Sequence, residues 1–143
     1  MANIGQQFIN IAGRDLLNTV EEHVQQSAKY DNYVPIQEHS SDDDYSDESV
    51  QNPNALGYHL VMAGSDKNRA IRSHNEGNYE RTILHLDNTH THLFEAARAF
   101  DRTQKAKTNR DVNPIWISVG EVSKALDNYK NLVRNEAPKG IED

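Results

Sequence analysis

The amino-acid sequence predicts an all-α fold: an antiparallel bundle of about four main helices, with a long acidic loop between the first and second. Three observations carry that prediction. From Tyr79 to Phe100 the apolar positions advance by fours and threes through Tyr79, Ile83, Leu86, His90, Leu93, Ala97 and Phe100. This is a helical seam of about six turns with one histidine set into it. Helix stop and start signals punctuate the chain, and Gly77-Asn78 in front of that seam is a stop followed by a start. No segment alternates with a period of two strongly enough to demand a sheet.

Length and composition bound the rest. The 143 residues form a single helical domain, 1–143, with an acidic insertion at 31–51 and a polar tail at 138–143. Only 36% of residues are hydrophobic and the mean hydropathy is −0.86, so the core is thin or completed by a partner. The absence of cysteine removes disulfides, zinc ribbons and thiol catalysis. No apolar run approaches the roughly 18 residues of a membrane span, and the N-terminus carries no charged-then-apolar leader. The expected setting is soluble: cytoplasmic, or within an assembled particle.

In chain order, residues 4–29 read as the first helix. Phe8, Ile9, Ala12, Leu16, Thr19, Val20 and His23 share one side, and Ile11 and Leu17 fall off that face. Residues 31–51 contain no element able to fold alone. Asn52-Pro53 reads as an N-cap followed by proline in the first turn. The second helical stretch carries Leu56, Leu60, Ala63, Ala70, Ile71 and His74 on one face. Gly64-Ser65-Asp66 is expected to kink it or split it into 53–63 and 66–76. The third helix starts after Asn78 and is expected to reach about Lys107. Asn113-Pro114 marks a turn in the connection that follows. Ser118-Val119-Gly120-Glu121 reads as the capping box of the last helix, stapled by Ile117 against Val122. Val119, Val122, Leu126, Tyr129 and Val133 form its stripe, and Ala137-Pro138-Lys139-Gly140 is expected to end it.

Charge is polarised along the chain. Glu38, Asp42, Asp43, Asp44, Asp47 and Glu48 supply six negative charges without a base among them, so of the net −7 the rest of the chain holds −1. Arg98, Arg102, Lys105, Lys107 and Arg110 face one acid, Asp101, between residues 98 and 110. Asp42, Asp43, Asp44, Asp47 and Glu48 on one side and the five bases on the other are the candidate partner-binding residues. The acidic run is expected to fold onto the basic stretch, or onto a basic surface of another subunit, under the control of salt. Each exposed pair contributes only about 0–1 kcal/mol, so a cluster is needed.

Seven histidines raise the question of a metal. His90 lies on the seam, whereas His85 and His92 share another face, about 10 Å apart along the axis. The HExxH spacing is absent, and no metal ligand set and no cofactor are assigned. His23, His59 and His74 fall near apolar faces, where imidazoles meeting inside a bundle would confer a pH response.

Two local resemblances accompany this reading. The stretch Arg69-Ala70-Ile71-Arg72-Ser73-His74 has the arginine-to-histidine spacing of HEPN ribonucleases, which are also small helical bundles. That resemblance implies His74 as general base and Arg69 as phosphate stabiliser. Residues 67–100, through EGNYERTILHL, resemble one tetratricopeptide-type hairpin, which implies local αα-hairpin geometry and protein binding. Thr82 stands where the repeat prefers alanine and no further copy is visible. Such repeats need about three stacked copies for stability, so the chain is not a solenoid.

No phosphate loop, nucleophile–base pair or paired-carboxylate motif is present. The leading expectation is therefore a non-catalytic helical module. It would be a protein–protein interaction or assembly and structural subunit, in a homo-oligomer or with a protein partner, with a phage or virus among the candidate sources. Ile11, Leu17, Leu84 and Phe94 are its candidate contact points. Two alternatives come from other classes. One is an acidic inhibitor whose 42–48 run stands in for nucleic-acid phosphates. The other is the HEPN-like ribonuclease. Direct nucleic-acid binding is not expected, because the basic stretch holds one aromatic and that one lies on the seam.

Overall fold

A computed structural model of the chain describes residues 4–30, 55–103 and 113–142, with side chains through residue 135. Four helices pack together in it: α1 (Ile4–Ala28), α2 (Ala55–Asn75), α3 (Tyr79–Phe100) and α4 (Pro114–Glu142). Each lies antiparallel to its neighbours in the ring α1–α2–α3–α4. Lys67 on α2 reaches Glu21 and Arg14 reaches Asn75, which fixes the α1–α2 direction. Lys130 opposite Asp87 and His23 against Ser118 do the same for α3–α4 and α4–α1. The predicted bundle is present. Its acidic segment lies outside the described residues.

Leu17, Val20 and Val24 of α1 meet Leu56, Leu60 and Ala63 of α2, Leu86, Leu93 and Phe100 of α3, and Ile115, Val122 and Leu126 of α4 in one core. The face of α1 that enters it differs from the expected one. Gly5, Ile9, Gly13, Leu17, Val20, Val24 and Ser27 are buried, whereas Phe8 is exposed. The seam passes through glycines, which register as no apolar residue in a hydropathy reading. A Cβ at Gly13 would lie 2.6 Å from His74 Cε1 and 2.9 Å from Tyr129 Cε2, so only glycine lets the backbone approach this closely. Leu17, expected as a surface contact point, is therefore a core residue.

α2 is continuous through Gly64-Ser65-Asp66. A mid-helix glycine costs about 1 kcal/mol relative to alanine, and packing along the full length of α3 outweighs it. Ser65 therefore starts no new helix, and the side chain of Asp66 turns to Arg69 and His92. The turn after α2 matches expectation. Gly77 adopts φ 80°, its N–H donates to His74 O, and the N–H of Asn78 donates to Ser73 O. This is the six-to-one and five-to-two bond pattern of a glycine-terminated helix. Asn78 then caps α3, accepting from the Arg81 N–H at 3.1 Å.

α3 ends at Phe100 rather than near Lys107, and α4 begins at Pro114 rather than Ser118. One residue causes both. Asn113 Nδ2 donates to Ala97 O at 2.7 Å and to Asp101 Oδ1 at 2.9 Å, closing the end of α3. Asn113 Oδ1 accepts from the Ile115 N–H at 2.9 Å, which makes it the N-cap of α4 with Pro114 in the first turn. The earlier start buries Ile115 completely. Ser118 is thereby inside the helix and bonded to His23, and Ile117 is exposed, so no staple forms. The backbone of α4 also continues through Pro138 to Glu142, giving up one ladder bond at the proline. Asn52-Pro53 lies outside the described residues.

Candidate functional site

Among the described residues, a grouping of titratable side chains lies between α2 and α3. His59 and Asp66 stand seven residues apart on α2, and His85 and His92 seven apart on α3, so each pair occupies one helix face two turns apart. The hairpin turn brings the faces together. His59 and His92 lie equally far from the Asn75–Glu76 bond, as do Asp66 and His85, and equal rise per residue sets each pair at one level.

His59 Nδ1 and His92 Nδ1 are 3.0 Å apart, with ring centroids 5.2 Å apart. Tyr58 stands edge-on to both rings, at 5.0 and 6.2 Å. On the far side of His92, Nε2 lies 3.8 Å from Asp66 Oδ2, an electrostatic contact rather than a hydrogen bond. Asp66 is only 3% exposed, and its other oxygen accepts from Arg69 Nη1 at 3.0 Å. The carboxylate favours the ring proton of His92 on Nε2. His92 Nδ1 then presents its lone pair, and the proton between the rings is donated by His59 Nδ1. His85 Nδ1 is buried without a hydrogen-bond partner among the described residues. Burial lowers the pKa of His85, Asp66 works against that, and Arg81, Arg69 and Arg72 add to it.

A second network lies deep in the core. His74 Nε2 faces the backbone oxygen of Asn10 at 3.1 Å and His74 Nδ1 faces the Tyr129 hydroxyl at 2.7 Å. Asn10 O only accepts, so Nε2 carries the proton and Tyr129 donates to Nδ1. Burial pushes the Tyr129 phenol well above its usual range and holds His74 below 6.5, against the Asn10 bond and with the nearby Arg14 charge. Arg69 sits about 140° around α2 from His74, is exposed and pairs with Asp66. The two do not converge on one surface.

Of the charged candidates, Arg98 contacts Glu95 at 3.5 Å and Arg102 donates to Arg98 O at 3.0 Å. Arg102 thus satisfies a carbonyl in the last turn of α3, and Arg98 pairs with an acid of its own helix. Asp42, Asp43, Asp44, Asp47, Glu48, Lys105, Lys107 and Arg110 lie outside the described residues. Ile11, Leu84 and Phe94 are all exposed, and Phe94 packs edge-on against Trp116 at 5.1 Å. His90 is half-buried beside the seam.

The separation of His85 and His92 from His90 was legible from helical periodicity, whereas the His59–His92 pair was not assigned from the sequence. Its signal was the symmetry of the two histidines about the Gly77 turn. In the comparisons with known proteins, no family model, curated protein or solved structure matches this chain.

Proposed function

We propose that this chain is a non-catalytic helical module that works by protein–protein contact, as a subunit of an assembly. One observation carries the reading. Ile4, Phe8 and Ile11 follow one another at helical spacing on the outer side of α1 and are 82%, 52% and 71% exposed. Exposed apolar surface of this kind marks interaction sites. Burying each of these side chains fully would contribute roughly 1.5–3 kcal/mol.

The surroundings favour protein as the occupant. No charged residue occurs from Ala2 through Gly13, and Gln6, Gln7 and Asn10 are the exposed polar neighbours. A nucleic-acid surface needs bases against phosphate, and an amphipathic membrane-surface helix is usually rich in them. Charge depletion around apolar side chains suits the centre of a protein interface. The partner is thus an apolar face on another chain, with the acidic run and the 98–110 bases as a salt-sensitive second contact.

A photo-crosslinking residue placed at Phe8 and activated in the native host should yield one stoichiometric protein adduct. Ile11→Asp should abolish it while helicity is retained. No adduct, or an adduct indifferent to Ile11→Asp, would overturn the reading. Light scattering on the purified chain tells a second copy from a different protein.

A further inference from the structure

We propose that Arg69, Arg72, Arg81 and His85 form a binding site for a phosphate dianion, free or as the terminal group of a small phosphate ester, at the hairpin end of the α2–α3 face. Helix register brings the four together. Arg69 and Arg72 are three residues apart on α2, and Arg81 and His85 four apart on α3, so each pair is adjacent along its own helix. Counted from the Asn75–Glu76 bond, Arg81 stands at a level between Arg69 and Arg72. Arg81, Arg69 and Arg72 all act on the His85 ring, adding to the effect of burial and opposing Asp66. Three positive charges therefore stand near one imidazole.

The chain carries a net charge of −7, yet an acid answers only one of these arginines. Arg69 donates through Nη1 to Asp66 Oδ1 at 3.0 Å, which uses one of the five N–H donors of a guanidinium. Arg72 and Arg81 are exposed. Among the described residues neither guanidinium makes a hydrogen bond or ion pair, and the carboxylates of Glu76 and Glu80 at the turn make none either. Like charges three residues apart on a helix repel, and an anion between them removes that repulsion. The planar fork of arginine matches the oxygens of a phosphate in pairs. A dianion balances the two unanswered guanidinium groups, whereas a single carboxylate does not. His85 Nδ1 is buried without a hydrogen-bond partner among the described residues. A bound dianion offsets the arginines and raises the proton affinity of that ring, so anion and proton bind together.

The test is an NMR titration of the purified full chain at about pH 7, with sodium phosphate replacing sodium chloride at constant ionic strength. The His85 ring signal should move toward its protonated-ring position and saturate. Arg72→Gln and Arg81→Gln should each weaken binding about 5-fold. Lys124→Gln, on the exposed side of α4, should leave it unchanged. Both arginines are exposed and neither side chain supports the fold, which far-UV dichroism of the variants checks. Glycerol 3-phosphate tells the two sources apart: a matching shift identifies the terminal group of an ester, and a response to inorganic phosphate alone identifies the free ion. No shift beyond the chloride baseline overturns the proposal, as does an equal shift with sodium acetate. Binding that survives the Arg72→Gln, Arg81→Gln double variant, or that Lys124→Gln weakens equally, overturns it as well.

Discussion

The imidazole of His74 lies between a backbone acceptor and a phenol, and the neutral ring satisfies both. The pH dependence of stability follows from this. The unfolded chain protonates this histidine near its ordinary value of 6.5, whereas burial holds the folded value lower. Between those values the unfolded state binds more protons, so stability rises with pH and falls on acidification. His85 acts with the same sign. Urea midpoints measured from about pH 7.5 down to about pH 5 should fall, and His74→Gln should flatten the slope. Tyr129→Phe leaves His74 Nδ1 without its donor and should cost about 1–3 kcal/mol in denaturation at neutral pH.

Two glycines give opposite predictions at the same scale. Gly13→Ala places a methyl group against His74 and Tyr129. The His74 ring is bonded at both nitrogens and cannot retreat, so the overpacking cost of about 1–3 kcal/mol exceeds the gain in helix propensity. At Gly64 nothing lies within 4 Å of the added Cβ, and Gly64→Ala should stabilise by up to about 1 kcal/mol. Thermal melts of the two single variants should move in opposite directions.

Among the elements, the helix ends separate what sequence could show from what it could not. Gly77-Asn78 was readable because glycine and asparagine there act on their immediate backbone neighbours. At the start of α4 the cap is Asn113, in a pair that reads as a turn, rather than Ser118 of the capping-box pattern. That outcome depended on the burial of Ile115 and on the reach of Asn113 to Ala97, neither of which is local. The inward face of α1 was misread for a similar reason, since its glycines are buried by close approach rather than by hydropathy. The buried threonines of α3 also escaped the seam. Thr82 and Thr89 donate to the carbonyls of Asn78 and His85 in their own helix and present their remaining surface as β-branched core residues. Asn113→Ala removes a helix cap and the links to Ala97 and Asp101 together. It should cost more than the ~1 kcal/mol typical of a lost N-cap, read as a lowered denaturation midpoint.

For the whole molecule, the two surfaces the proposed contact would use, the charged segments and the apolar stripe on α1, respond differently to salt. An interface carried by Ile4, Phe8 and Ile11 should persist or strengthen as salt rises. One carried by the 38–48 acids and 98–110 bases should weaken over about 0.05–0.5 M, as screening shortens the reach of exposed charges. The partner-bound fraction measured across that range assigns the contact. The candidate site was only half legible at this scale. Each histidine face followed from periodicity, but which faces meet depends on the hairpin register.

Trp116 is the only tryptophan in the chain. It sits half-buried at the α3–α4 corner, its indole N–H donating to Asp101 Oδ2 at 3.1 Å and its ring against Phe94. Intrinsic fluorescence is therefore a local optical reporter of this corner, while far-UV dichroism averages over all four helices. If the two signals change together in urea, the bundle unfolds as one cooperative unit. If the emission shifts first, the α3–α4 corner opens ahead of the rest, and its free energy of opening can be read without introducing a label.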